Sequence, residues 1–193
     1  MSKPVLPTRP LVAITGSRRG LGRALVSAYA AAGCTVLAHA RTEHDARDIS
    51  ESTEGEVIPH WGDVRDSTLS ERFALSAEAA GGVDLLILNA GVINTMGPLL
   101  EADVDEFADV MAINVNAQLP LIQRLVPSMT RKGAGAVLWL TSGLGRFGLP
   151  HYGAYCASKH AVEGLMKVLA EGVGDAGVVS AAVAPGMVQT DML

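Results

Sequence analysis

Aromatic side chains are scarce in this 193-residue chain, at 4% of residues, although 49% are hydrophobic. The core is therefore expected to be aliphatic and alanine-rich, as close packing of helices on a parallel sheet requires. Cysteine is nearly absent: Cys34 and Cys156 stand far apart with no Cys-x-x-Cys spacing. That argues against a disulfide framework and suits a reducing, cytoplasmic compartment. Positive charge is also short, with 15 Lys and Arg against 20 Asp and Glu, a net −5, and no long basic run. Such a balance argues against nucleic acid and leaves a small molecule as the default partner. No apolar run approaches the ~20 residues of a membrane span. Met1 to Pro10 holds three prolines, Lys3 and Arg9 but no apolar stretch, so neither a membrane segment nor a secretory signal is expected. No His, Cys, Asp and Glu cluster has metal-ligand spacing, so no catalytic metal is expected.

What is present is an alternation of short apolar runs and amphipathic segments, the signature of repeated βαβ units. Strands are predicted at Leu11–Thr15, Thr35–His39, Val57–His60, Asp84–Leu88, Ala136–Thr141 and Val178–Val183. Helices are predicted at Leu21–Ala32, Glu43–Glu51, Ser67–Ala80, Val104–Lys132 and Gly153–Gly172. Runs such as Leu85-Leu86-Ile87-Leu88 are apolar without alternation, which means burial on both faces. The expected fold is α/β: a doubly wound, Rossmann-like parallel sheet of about six strands in three α/β/α layers. Residues 11–193 should form one domain, preceded by a loose tail over residues 1–10.

The predicted strands run into polar or Gly/Pro turns: Thr15-Gly16, Arg41, Asp63, Asn89-Ala90-Gly91, Ser142-Gly143 and Pro185-Gly186. Ligands of open parallel sheets lie outside the carboxyl ends of the strands, so this edge is the expected binding edge. The first turn, Thr15-Gly16-Ser17-Arg18-Arg19-Gly20-Leu21-Gly22, is glycine-rich and opens a helix. Glycines there let backbone N–H groups approach a pyrophosphate and let helix and strand pack closely. The second strand ends His39-Ala40-Arg41-Thr42, with no carboxylate before Glu43. An acidic residue would bond the ribose of NAD, whereas an arginine accommodates the 2′-phosphate of NADP. Arg41, with Arg18 and Arg19, therefore favours NADP(H) over NAD(H), although the same arginines would also suit a solvated surface. Asp63, with Val64, sits where an adenine would lie; alternatively Asp63 or Asp66 caps the next helix.

Tyr155 and Lys159 lie one helical turn apart and share a face. A cation about 5 Å from the phenol contributes about 3 kcal/mol at an effective dielectric near 20, which would lower the phenol's pKa toward the useful range. Alone such a pair is an ordinary helix face. Ser142, ending the strand that feeds this helix, can reach the same point and hydrogen-bond a carbonyl.

Together these residues resemble the short-chain dehydrogenase/reductase family, in particular its ketoacyl reductase-like members. The resemblance rests on the Thr15–Gly22 turn, Asp63-Val64, Asn89-Ala90-Gly91, Asn114, Ser142, Tyr155-x-x-x-Lys159 and Pro185-Gly186 with Thr190. It implies Tyr155 as general acid/base, and Lys159 lowering its pKa while holding the nicotinamide ribose. It implies that Ser142 orients the carbonyl and that Asn114 anchors a proton-relay water. Thr190 and the backbone near Val188 would hold the carboxamide. Asn114 by itself would equally suit a residue bonding neighbouring backbone. The implied function is NADP(H)-dependent interconversion of a carbonyl and a secondary alcohol in a homodimer, with a tetramer disfavoured. Departures from the family pattern are Leu88 before Asn89-Ala90-Gly91, and Pro120, expected to kink the long helix or leave a carbonyl unpaired. The chain also stops at Leu193, before the usual C-terminal segment, which opens a second reading as a truncated, non-catalytic NADP-binding or interaction module. A sugar-nucleotide epimerase fits the Gly16/Gly20/Gly22 spacing poorly. Val92, Ile93, Met96, Leu144, Phe147, Leu149, Met187 and Met192 suggest an apolar pocket for a neutral or hydrophobic substrate, or simple packing. His151 reads more readily as a bystander than as a substrate contact.

Overall fold

The structure, a computed structural model, describes residues 8–94 and 96–186. Met187, Val188, Thr190 and Met192, all expected near a substrate or nicotinamide, lie outside the described residues.

Six strands form one sheet: β1 (Leu11–Ile14), β2 (Thr35–Ala40), β3 (Glu56–Trp61), β4 (Leu85–Leu88), β5 (Gly135–Leu140) and β6 (Val178–Val183). Their order is β3-β2-β1-β4-β5-β6, and every pairing is parallel. All residues of β1, β2 and β4 are buried, because helices cover the sheet on both sides. The expected three-layer, doubly wound sheet is what forms. The helices are α1 (Gly20–Ala31), α2 (Glu43–Ser52), α3 (Ser67–Ala79), α4 (Val104–Met111), α5 (Gln118–Lys132) and α6 (Gly153–Val173).

The core divides by face. Val26 and Ala30 of α1 and Ala46 and Ile49 of α2 pack on Val12, Ile14, Val36 and Ala38. On the other face Phe73, Leu125, Met129 and Val162, from α3, α5 and α6, pack on Leu37, Leu86, Val137 and Trp139. Burying each such side chain contributes about 1.5–3 kcal/mol. Trp139, the largest fully buried side chain, keeps its one polar atom satisfied by donating its indole N–H to Ser180 Oγ at 2.9 Å.

One predicted element is corrected. The single helix expected over Val104–Lys132 is interrupted by a π-helical segment, Ala112–Asn116, which holds Asn114. Ala117 N–H donates five residues back to the Ala112 carbonyl at 2.9 Å, one residue wider than an α-turn. Within this segment the Asn114 carbonyl accepts from the side chain of Gln118, whose Nε2 donates to it at 2.7 Å. Pro120 follows as the third residue of α5, in the first turn after the π-helical segment. The proline inside the helix is Pro127. No described helix is long and apolar enough to cross a membrane.

Candidate active site

The strand order reverses between β1 and β4, and the turns after these two strands are locked together. Thr15 Oγ1 accepts from the N–H groups of Asn89 and Ala90 at 3.1 and 3.0 Å. Asn89 Nδ2 donates to the carbonyls of Thr15 and Gly16, both at 2.9 Å. Asn89 thus spends its amide on the protein's own backbone. Gly16 has φ +70°, and a Cβ there would lie 2.8 Å from Ala90 Cα. A Cβ on Gly22 would collide with the Gly16 carbonyl and come within 2.6 Å of Asn89 Nδ2. Only glycine lets α1 approach this closely. Helix α1 starts with Arg19 at its N-cap, with no side-chain cap and no acidic residue in its first turn. An uncapped N-terminus at a switch point, walled by glycines, fits a pyrophosphate, which would take the first-turn N–H groups of Gly20, Leu21 and Gly22. Ser17 is fully buried, with its hydroxyl donating to Ile14 O at 3.1 Å and its N–H to His39 O at 2.6 Å.

At the end of β2, Arg41 is exposed. Arg18 pairs with Asp45 at 3.0 Å, beside the Thr42 cap of α2. Asp63 is gripped by its neighbour: Arg65 donates to it through Nε at 3.0 Å, Nη2 at 2.6 Å and the backbone N–H at 2.9 Å. Those bonds hold the Asp63 carboxyl low, at about 2, so it is a carboxylate at neutral pH and still an acceptor. The helix cap is the other aspartate, Asp66, which accepts from Thr68 N–H at 2.9 Å.

Ser142, Tyr155 and Lys159 converge where β5 meets α6. Ser142 caps a short 3-10 turn, its hydroxyl accepting from Leu144 N–H at 3.2 Å. Burial raises the pKa of the Tyr155 phenol, and the Ser142 hydroxyl near it lowers it by less, so the net direction is upward. Lys159 Nζ lies 5.5 Å from the centre of the Tyr155 ring and donates to the Leu140 carbonyl at 2.8 Å. Burial brings the lysine's own pKa down to about 8, because a charge held this deep loses its hydration. At pH 7 the amine is still mostly a cation.

Asn114 is wholly buried, and both polar atoms of its side chain are bonded: Oδ1 accepts from Val92 N–H at 2.8 Å, while Nδ2 donates to Val92 O at 2.9 Å and Ser158 Oγ at 3.0 Å. It ties the turn after β4 to α6 (Ser158 in turn donates to Tyr155 O at 2.8 Å). Gln118 and Ser158 were missed in the sequence, and Thr15 and His39 were read there only as parts of their turns, without the bonds that they make. Serine, threonine and glutamine are common on helices and strand ends, and nothing in their spacing marks them. Pro185 and Gly186 follow β6, with Gly186 at φ +77°.

Beside this cluster is an apolar hollow of about 520 Å³ lined by Pro98, Leu99, Leu149, His151, Gly153 and Cys156, among others. Its walls include residues on either side of Tyr155 in α6, but not Tyr155 or Ser142. Of the expected pocket residues, Leu149 lines it; His151, with φ +73° and its carbonyl accepting from Gly97 N–H at 3.1 Å, lines it too. Among the described residues, no group of three or more His, Cys, Asp or Glu could hold a metal ion.

Residues 10–193 match the family described as short chain dehydrogenase. The chain is 34% identical over 171 residues to the uncharacterized oxidoreductase YciK of Escherichia coli (strain K12), covering 83% of this chain and 67% of that one. It is 33% identical over 187 residues to the NADPH-dependent pterin aldehyde reductase of Arabidopsis thaliana, covering 94% and 76%. Among solved structures, a short-chain dehydrogenase of Shigella flexneri complexed with NADP superposes with TM-score 0.85 at 31% identity, covering 99% of this chain and 82% of that one. A match over nearly the whole chain, with relatives above 30% identity, leads to one conclusion: the chain belongs to the short-chain dehydrogenases, oxidoreductases of the carbonyl–alcohol couple.

Proposed function

We propose that this protein reduces a neutral or hydrophobic carbonyl compound with NADPH, and runs in reverse with NADP, using Tyr155 as the general acid/base. The observation that carries this reading is the meeting of the Ser142 hydroxyl, the Tyr155 phenol and the Lys159 ammonium at one sheet edge, beside the glycine-walled start of α1. Bound there, the dinucleotide supplies the hydride. The chain's own residues do the rest. Gly16, Ser17, Arg18, Arg19, Gly20 and Leu21 form the turn that receives the pyrophosphate. Arg41, aided by Arg18 and Arg19, faces the 2′-phosphate; Asp63 and Val64 face the adenine. Asn89, Ala90 and Gly91 shape the wall at the switch point. Lys159 holds the nicotinamide ribose, and Pro185 and Gly186, with Val188 and Thr190, flank the nicotinamide.

Ser142 donates a hydrogen bond to the substrate oxygen and fixes its distance from Tyr155. Burial keeps the phenol protonated at neutral pH, so it stands ready to give its proton to the oxygen as negative charge develops. The Lys159 cation favours the phenolate left behind. Asn114 acts through the backbone of Val92 and through Ser158, as a positioning residue. The hollow lined by Leu99, Leu149 and Cys156 favours apolar substituents on the carbonyl compound. A homodimer through α4, α5 and α6 is part of the same reading.

The test is NADPH oxidation with a panel of apolar ketones and aldehydes. Tyr155→Phe is expected to lose at least a thousandfold in kcat while still binding NADPH. Arg41→Ala is expected to weaken NADPH by about tenfold and leave NADH unchanged. Turnover surviving in Tyr155→Phe would overturn the acid/base assignment. Binding of NADPH with no turnover of any carbonyl by the parent would favour the non-catalytic module instead.

A further inference from the structure

We propose that His39 is a positioning residue for the cofactor: one neutral imidazole that clamps the turn after β1 to the turn after β3, and so sets the spacing between the pyrophosphate and adenine walls. The proposal rests on the dinucleotide-binding reading above.

His39 is the penultimate residue of β2 and is 3% exposed. Its Nδ1 accepts from Gly16 N–H at 3.2 Å, and its Nε2 contacts the Gly62 carbonyl at 2.9 Å. A backbone amide can only donate and a carbonyl can only accept. The ring must therefore be the neutral Nε2–H tautomer. A charged ring would point a second N–H at the Gly16 amide and lose that bond. Burial lowers the pKa of His39, in the direction the clamp needs. The groups around it act both ways: the bond to the Gly62 carbonyl and the Asp63 carboxylate favour the cation, whereas Arg72 of α3 opposes it; His60 of β3, with its own pKa down at about 4, stays neutral at pH 7. Phe73 of α3 stands against the ring at 6.1 Å.

The two bonds reach the parts that would touch the cofactor. Gly16 is fixed on its other side by Asn89 Nδ2, so its amide turns inward to His39, while the α1 start beyond it has no side-chain cap. Gly62 immediately precedes Asp63, the adenine-facing carboxylate. One side chain thus links the turn that leads into α1 to the turn that carries Asp63. The carbonyl chemistry belongs to β5 and α6, which these His39 bonds do not reach. Loss of the clamp should therefore weaken cofactor binding and spare the chemical step.

His39→Phe keeps a ring beside Phe73 and removes both bonds. The expected result is an NADPH dissociation constant raised at least tenfold by fluorescence titration, with kcat at saturating NADPH within threefold of the parent. His39→Asn, whose oxygen stands near the Nδ1 position, is expected to recover most of the affinity. It also serves as the informative variant should His39→Phe fold poorly. Imidazole ¹⁵N shifts in the parent should report the Nε2–H tautomer from pH 5.5 to 8. Unchanged NADPH affinity in both variants, a fall in kcat at saturation as large as the fall in kcat/KM, or a protonated or Nδ1–H ring would each overturn the proposal. A parent that binds neither NADPH nor NADH would instead overturn the dinucleotide reading itself, and the clamp's role with it.

Discussion

Lys159 carries a conflict between stability and chemistry that a substitution can expose. Its amine is buried and its pKa is down at about 8, from an ordinary 10.5. Below pH 8 the lysine is charged in both folded and unfolded chains, so the whole cost of burial is present. Between pH 8 and 10.5 the unfolded chain binds more protons, so stability rises with pH; above 10.5 the cost is gone. The gap corresponds to about 3 kcal/mol, less the bond to the Leu140 carbonyl, about 1 kcal/mol. Lys159→Met is therefore expected to melt a few degrees higher than the parent at pH 7 and to be nearly inactive. Melts repeated at pH 10 should show the gain shrink, and a gain that did not change with pH would mean that the amine is not buried as a cation. Of the site residues, the paired spacing of Tyr155 and Lys159 was legible in the sequence because a helix fixes it. The direction of their pKa values was not, because burial is a property of everything around them.

The π-helical turn at Ala112–Asn116 is the element on which sequence periodicity failed. Apolar spacing over 104–132 is consistent with one helix, and a single extra residue in one turn shifts that spacing too little to see. Its consequence is local and chemical: it carries Asn114, whose amide joins Val92 to Ser158. Asn114→Asp tests that bridge. An ionised carboxylate would oppose the Val92 carbonyl in a fully buried place, so the folded protein would keep the acid protonated and raise its pKa. The unfolded acid ionises near pH 4, so stability relative to the parent should fall by about 1.4 kcal/mol per pH unit above that, until the folded pKa is reached. Chemical denaturation at pH 5 and pH 8 measures the slope. Equal losses at both pH values would show that the side chain reaches solvent.

At the scale of the molecule the two faces of the sheet are unequal. Helices α3, α5 and α6 cover one face broadly, whereas the described helices on the other, α1 and α2, pack over β1 to β3. Over β5 and β6 that second face shows Ala136 and Leu138 half-buried, with Val179 and Val183 43% and 42% exposed. An apolar edge of this kind is prone to association. Val179→Lys is expected to lower light scattering at tens of micromolar protein while leaving the circular dichroism unchanged. Unchanged scattering would show that this face does not drive association.

The sequence by itself determined the α/β class, the six strands to within about one residue at each end, and the edge of the sheet to which Ser142, Tyr155 and Lys159 belong. Those follow from local rules: apolar runs of strand length, glycines where backbone must approach backbone, and a four-residue spacing on a helix. Only the tertiary structure decided which polar groups are already spent on the protein itself. Asn89 and Asn114 bond backbone, Asp63 is held by Arg65, and His39 joins two turns that lie 46 residues apart, at Gly16 and Gly62. A side chain's partners depend on which strand ends the fold brings together, and parallel crossovers bring together segments that nothing in the local sequence connects.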